Sequence, residues 1–377
     1  MRWIAWTLVA ACAAAVLLAV VVVPRLHPTD AAPPQLDALG DPIDPGTVLA
    51  GTPAPGFTLT DQFGQQHTLA SFRGNPVVLA FIDSRCTTTC PLTARMLVDA
   101  KEQLGTAGQN VQLLAVNANP TATSTADVLA WSRAHGMTHQ WLFFTGPASE
   151  LNHLYRVYHI SVSIEPGGAI THTDAVYVLD AQGRERYLFT TDPNFSGTVP
   201  ESTDLARRIA SVLPGDPRVS PLPVSGGALS TTFVLPALLP GGATGQLAVG
   251  SPAAGGTRLV DFFATWCTAC QEDLRTLAKY SAQAPGLGLP PVVGVDLRVS
   301  EPSTQWVADF LQKAAVPFPV GLDATGRVMD AYRVTELPFM AVVAANGKVL
   351  WQHTGVLPLS QLSSQVAAAV GRSGGST

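Results

Sequence analysis

Charge is scarce in this chain. Only 13% of its 377 residues are charged and the net charge is -5, so the basic footprint of a nucleic-acid binder is missing. Cysteine is scarce as well: there are five, and four of them form two close pairs, Cys86 with Cys90 and Cys267 with Cys270. That distribution excludes the scattered staples of a small secreted scaffold and points to redox or metal sites. From Trp3 to Val23 charge is absent altogether. At about 1.5 Å per residue a helix over this run reaches about 30 Å, the thickness of a bilayer core. A cleavable signal has an apolar core of only about 7 to 15 residues before a small-residue site, whereas this run ends at Pro24-Arg25. Residues 1–23 are therefore expected to be an uncleaved transmembrane anchor, with Cys12 a membrane-buried thiol. Arg2 and Arg25 are too sparse to orient it. Paired cysteines suit an oxidising exterior, so a single-pass protein of the cell membrane with its soluble domains on the extracytoplasmic side is expected.

What is present falls into blocks. Residues 24–50 are rich in proline without apolar periodicity and read as an extended tether. The remainder is long enough for two domains of about 150 residues. Residues 51–213 alternate apolar strands with amphipathic helices: a hairpin in FTLTDQFGQQHTL, the strand PVVLAFID, and a helix in PLTARMLVDAKEQLG with Pro91 at its first position. VQLLAVNA, TADVLAWSRAHG, AVYVLDAQGRERYLF and ESTDLARRIASVL continue the alternation. Residues 214–227 have a linker's composition. After them, over 228–372, the order repeats with LVDFFATW, QEDLRTLAKYSAQ, PVVGVDLRV, STQWVADFLQKAA, FMAVVAANGKVLWQHTG and LSQLSSQVAAAVG. The expected fold class is α/β, two tandem domains of one architecture with helices on both faces of each sheet.

Each domain delivers a cysteine pair from the end of an apolar strand to the start of a helix. In WCTAC the pair is three apart, and a thiol at a helix N-terminus is acidified by the dipole and by free N–H groups. Cys267 reads as the attacking thiol and Cys270 as the resolving one. Asp261, six residues earlier in the same apolar strand, would have a raised pKa if buried and could take the resolving cysteine's proton. A static disulfide is the bland alternative; zinc lacks a second CxxC or suitably spaced histidines. VDFFATWCTAC followed by VTELPFMAVVAANGKVLWQHTG resembles the thioredoxin superfamily, most of all its membrane-tethered TlpA/ResA-type branch, over about residues 228–372. The resemblance implies a cis Pro338 beside the disulfide, with the backbone of Leu337 pairing with a substrate segment. Thr268-Ala269 stands where that family has a dipeptide containing proline.

CTTTC is one residue longer. Cys86 and Cys90 around a turn entering a helix can converge two soft thiolates on one metal ion, with a third ligand from the facing loop. Superposing the hairpin turns Gln182-Gly183 and Asn346-Gly347 sets Pro338 opposite Asp174, two residues from His172. His172 is thereby placed to be that ligand, and two thiolates with one imidazole suit Cu(I). The remaining histidines show no metal spacing. A peroxidase reading through Cys90 and Thr87 meets Asp83 where it needs proline. GTPAPGFTLTDQFGQQHTLASFRGNPVVLAFIDSRCTTTCP with ITHTDAVYVLDAQG resembles the Sco/SenC family of copper chaperones over about residues 47–213. That resemblance implies Cys86, Cys90 and His172 as copper ligands and the copper-site subunit of cytochrome c oxidase as partner, although Thr87-Thr88-Thr89 replaces the family's Pro-Asp. Copper loading needs both cysteines reduced, so the second pair is expected to keep copper-ligand thiols reduced, its own or a client's. The alternative is thiol-disulfide exchange on other clients with no physiological metal.

Overall fold

The structure, a computed structural model, describes residues 46–190, 201–220, 222, 231–251 and 255–373. The expected anchor and the tether as far as residue 45 lie outside the described residues. Among the described residues no helix is long and apolar enough to cross a membrane.

The first domain opens with an edge strand, β1 (Thr47–Val48), and a hairpin, β2 (Thr58–Thr60) and β3 (Gln66–Thr68). Then follow β4 (Val77–Ile82), α1 (Thr89–Glu102), β5 (Gln112–Asn117), α2 (Thr125–Ala134), β6 (Leu142–Phe144) and α3 (Ala148–Val157). A second small hairpin, β7 (Val162–Ile164) and β8 (Ile170–His172), precedes β9 (Ala175–Leu179), β10 (Glu185–Thr190) and α4 (Glu201–Val212). The sheet order is β1-β10-β9-β4-β5-β6, with β4, β5 and β6 parallel and β9 antiparallel to β4. β4 is buried at all six positions because the sheet is covered on both faces. Val78, Ala80 and Ile82 join the core on one face, and Val77, Leu79 and Phe81 join the core on the other.

The second domain repeats this plan. Its elements are β11 (Phe233–Leu238), β12 (Thr244–Val249), β13 (Arg258–Phe263), α5 (Thr268–Leu287), β14 (Val292–Asp296) and α6 (Thr304–Lys313). β15 (Val320–Leu322), α7 (Arg327–Ala331), β16 (Phe339–Val343), β17 (Val349–Thr354) and α8 (Leu359–Ser373) complete it. The order β12-β11-β15-β14-β13-β16-β17 contains the same centre, β13 taking the place of β4 and β16 that of β9. The turns at Gly183 and Gly347 take φ of 74° and 83°, a left-handed conformation that glycine adopts without a Cβ clash. Both domains are thioredoxin-like α/β layers, and in both the cysteine pair follows the central strand.

The domains meet along one face of α1. Leu92 packs against the second core, Arg95 pairs with Asp330, and Arg333 donates to Asp99 at 3.0 Å and Glu102 at 3.2 Å. Positions 92, 95, 99 and 102 recur at helical spacing, so a single stripe of α1 faces its neighbour. At the other end the carboxylate of Glu336 accepts the backbone N–H of Glu201, the first residue of α4, at 2.8 Å. A carboxylate there satisfies one of the four N–H groups a helix start leaves unpaired.

Candidate functional site

The first cysteine pair sits where β4 ends. Asp83 caps the strand's exit: its carboxylate accepts the N–H of Arg85 at 2.8 Å and the side-chain amide of Asn119 at 2.7 Å, while its carbonyl accepts the N–H of Cys86 at 3.0 Å. From the far side the indole of Trp131 donates to the Cys86 carbonyl at 2.8 Å. The loop is therefore fixed from both flanks. α1 begins at Thr89, two residues before the expected Pro91. Proline is still tolerated there, because N–H groups in a first turn have no intrahelical acceptor. The shift puts Cys90 inside the helix, and its N–H points at the Cys86 sulfur at 3.5 Å.

Both cysteines are free. The proton that Cys90 donates to Cys86 is the largest cause holding the Cys86 thiol down, to about 5, with the Thr88 hydroxyl at 3.4 Å assisting against burial. The same shared proton, then burial and the nearby Cys86 and Asp174 charges, push Cys90 well above the ordinary thiol range. The pair is thus one thiolate and one thiol.

His172 closes the site from the strand before β9. Its Nδ1 lies 2.9 Å from the Thr173 carbonyl, which can only accept, so Nδ1 carries the proton. Nε2 is thereby turned to the Cys90 sulfur, 3.7 Å away. Next to it Asp174 accepts from the Thr93 hydroxyl at 3.2 Å.

The expected three-ligand set is only partly assembled. Cys90 meets both Cys86 and His172, yet among the described residues no three Cys, His, Asp or Glu side chains converge as a metal site. The Cys86 sulfur is engaged by the Thr88 hydroxyl and by the Cys90 N–H. Two thiolates and an anchored imidazole would be soft and borderline donors that fit Cu(I).

The second pair is built more tightly. Cys267 is itself the N-cap of α5, its sulfur accepting the Cys270 N–H at 3.1 Å, and the two are joined as a disulfide. The preceding turn is clamped by Glu301, whose carboxylate accepts both the N–H and the hydroxyl of Thr265 at 2.6 Å, and by the Trp266 indole donating to Ser300 at 2.9 Å. The Leu337–Pro338 peptide is cis, and Pro338 lines the same cleft as Cys267.

Asp261 is fully buried on β13, and neither carboxylate oxygen has a hydrogen-bond partner. A second carboxyl, Asp273, shares that condition one turn after Cys270. Burial is the main cause in both, raising Asp273 to about 8; Asp261 goes well above the usual range, with Asp273 adding repulsion. Sequence reasoning found Asp261 and missed Asp273. Its signal was available: a carboxylate three residues after a buried cysteine on the same helix lies on the same inward face. The parts played by Asp83 and Asp174 beside the pair were missed, as were Asn119 and Trp131, which only the folded chain brings to it.

Residues 50–207 match the SCO1/SenC family model, and residues 230–369 match the Redoxin family model. The chain joins a SCO1/SenC domain to a Redoxin domain. Among curated relatives, the thiol:disulfide interchange protein DsbE homolog of Paracoccus denitrificans is 34% identical over 103 residues, 27% of this chain and 52% of that protein. The thiol-disulfide oxidoreductase ResA of Bacillus subtilis is 30% identical over 103 residues, 27% of this chain and 55% of that protein. The chain spans about half the length of these curated relatives. Among solved structures, copper-bound ScoI of Bradyrhizobium japonicum aligns with 43% of this chain and 100% of its own at 19% identity and a TM-score of 0.37. The SCO1/SenC domain thus carries Cys86, Cys90 and His172, and the Redoxin domain carries Cys267, Cys270, Asp261 and Pro338.

Proposed function

We propose that the protein is a membrane-anchored, extracytoplasmic copper chaperone and thiol-disulfide reductase serving assembly of the copper site of cytochrome c oxidase. Copper is its cargo. Cys86, Cys90 and His172 would take Cu(I) between two thiolates and an imidazole, and the partner would be the oxidase subunit that receives the ion. Cys267 would attack a disulfide in a client as a thiolate, Cys270 would resolve the mixed disulfide, and Asp261 would hold the proton Cys270 gives up. Pro338 borders the site where the client strand lies.

The observation that carries this reading is the anchored imidazole. Nδ1 bound to the Thr173 carbonyl fixes the ring's orientation and aims Nε2 at the Cys90 sulfur, which is how a protein prepares a histidine to ligate. An anaerobic Cu(I) titration of the full chain tests it. One equivalent should bind to the wild type, and His172→Ala should weaken binding by more than about tenfold. Unchanged affinity in that variant would remove histidine from the site and with it the chaperone role.

A second reading, thiol-disulfide exchange on other clients with no physiological metal, draws on the Cys86 thiolate, which is a competent nucleophile in its own right. It requires the wild type to bind no stoichiometric copper in the same titration.

A further inference from the structure

The segment that runs from the end of α7 into the cis Leu337–Pro338 peptide is tied to the first domain at three points. Asp330 pairs with Arg95, Arg333 donates to Asp99 and Glu102, and Glu336 accepts the N–H of Glu201. Its own domain holds it at alternate places. Tyr332 and Val334 are buried, and the Tyr332 hydroxyl donates to the Thr231 carbonyl at 2.7 Å. Arg333 stands between them at φ 53°, a left-handed conformation that a residue with a Cβ keeps only where its surroundings hold it. Its guanidinium reaches across to Asp99, a carboxylate only 2% exposed on α1. A carboxylate buried to that degree needs its counter-charge, so the pair resists separation.

Past Val334 the backbone is open. Among the described residues no backbone–backbone hydrogen bond is made by Thr335 or Leu337. The Glu336 carboxylate takes up the Thr335 hydroxyl at 3.3 Å through the same oxygen that accepts the Glu201 N–H at 2.8 Å. Residues 335–338 line the same cleft as Cys267. The part of the second site that borders Cys267 therefore takes much of its support from the other domain.

We infer that Arg333 is a positioning residue for exchange at Cys267: with the ties at Asp330 and Glu336 on either side, it lets α1 and α4 of the SCO1/SenC domain hold residues 335–338 in the shape that receives a polypeptide disulfide. The second site is complete only with the first domain docked on it. The inference rests on the thiol-disulfide reading of Cys267 and needs no metal. With the ties cut, the segment has more conformations to lose when a polypeptide binds, a cost that falls on binding and not on the attack of the thiolate. A disulfide too small to reach Leu337 is indifferent to it.

The test uses the reduced, metal-free full chain with Cys270→Ser. In it the Cys267 thiolate attacks one sulfur of an added disulfide, the other sulfur leaves as a thiolate, and the mixed disulfide accumulates. Trapping is located at Cys267 by peptide mass mapping and followed against concentration. The probes are insulin, whose disulfides lie on peptide chains, and the small disulfide of mercaptoethanol. Arg333→Met should raise the insulin concentration at half-saturation about tenfold with the limiting rate unchanged, while the small disulfide reacts at the parental rate. Arg95→Asp sets two carboxylates face to face at the tie with Asp330 and should act in the same way; adding Asp330→Arg should restore the parental value. This exchange of charges decides the matter if Arg333→Met folds poorly. Unchanged half-saturation in both single variants, or equal slowing of insulin and the small disulfide, would overturn the inference. A parent chain that traps neither disulfide would instead remove the exchange reading itself, and the inference with it.

Discussion

Set side by side, the two cysteine pairs use one device with two outcomes. In each, the first sulfur accepts the backbone N–H of the second cysteine, at 3.5 Å for Cys86 and 3.1 Å for Cys267, within the first turn of the helix that carries its partner. The extra residue in CTTTC moves Cys86 ahead of the cap position that Cys267 occupies. The polar groups behind the pairs differ more. Behind the first, one oxygen of Asp83 accepts from both Arg85 and Asn119, and the group facing the thiols is the Nε2 of an imidazole anchored through Nδ1. Behind the second lie two buried carboxyls whose four oxygens have no hydrogen-bond partner. An anchored imidazole beside two thiols suits the proposed cation; an unsatisfied pair of carboxyls suits protons.

The sharpest way to break the comparison is to exchange the sites' roles by mutation. Cys267→Ser should abolish insulin reduction while leaving Cu(I) binding intact, and Cys86→Ser should do the reverse. If Cys86→Ser also abolished insulin reduction, the division of labour would fall. Next in size, Asp261→Asn should slow resolution of the mixed disulfide by about 10²-fold, as expected on losing a positioned proton acceptor. A stopped-flow trace with an unchanged resolution step would leave Asp261 as a purely structural residue.

The acid-base difference should also appear in stability. Asp273, held near 8 by burial, and Asp261, which burial raises well above the usual carboxyl range, bind protons more tightly folded than unfolded. Their contribution is complete below about pH 4, where the unfolded carboxyls are also protonated, and is lost as pH rises through the folded values. Over that window each group removes up to about 1.4 kcal/mol per pH unit. Unfolding midpoints of the wild type should thus fall between pH 5 and pH 9, while Asp273→Asn should flatten the fall. Equal slopes would show that Asp273 is already ionised at neutral pH.

Much of this was legible in the sequence because the central strands are strongly patterned. PVVLAFID and LVDFFATW are apolar runs that only a sheet covered on both faces can bury, and each ends in a cysteine pair. Short elements gave no such signal: β6, β15 and the β7–β8 hairpin have three residues per strand, too few for a period to emerge. β11 carries Pro236 inside a strand, which masks its pattern. The start of α1 was misplaced because Pro91 suggests a first helical position, whereas the whole first turn accepts it. Within the sites, residues on the same strand or helix as a cysteine could be found by spacing. Those delivered from elsewhere, such as Trp131 and Asn119, could not, and the ligand set itself proved looser than the spacing suggested.

Trp131 gives the finest probe of that looseness. Its indole donates to the Cys86 carbonyl, and its ring stacks on Trp141 at 5.5 Å and on His135 at 4.1 Å, so it ties the thiol loop to the core beneath α2. Trp131→Phe keeps an aromatic ring and removes the donor, leaving a carbonyl that water can reach only in part. The loss should be about 1 kcal/mol of stability. It should also free Cys86 to move, so the variant should take up Cu(I) no more weakly than the wild type while its metal-free form unfolds earlier in urea. A variant that lost copper affinity along with stability would show that the loop must be held rigid to ligate, and the contrast between a movable first pair and a clamped second pair would have to be given up.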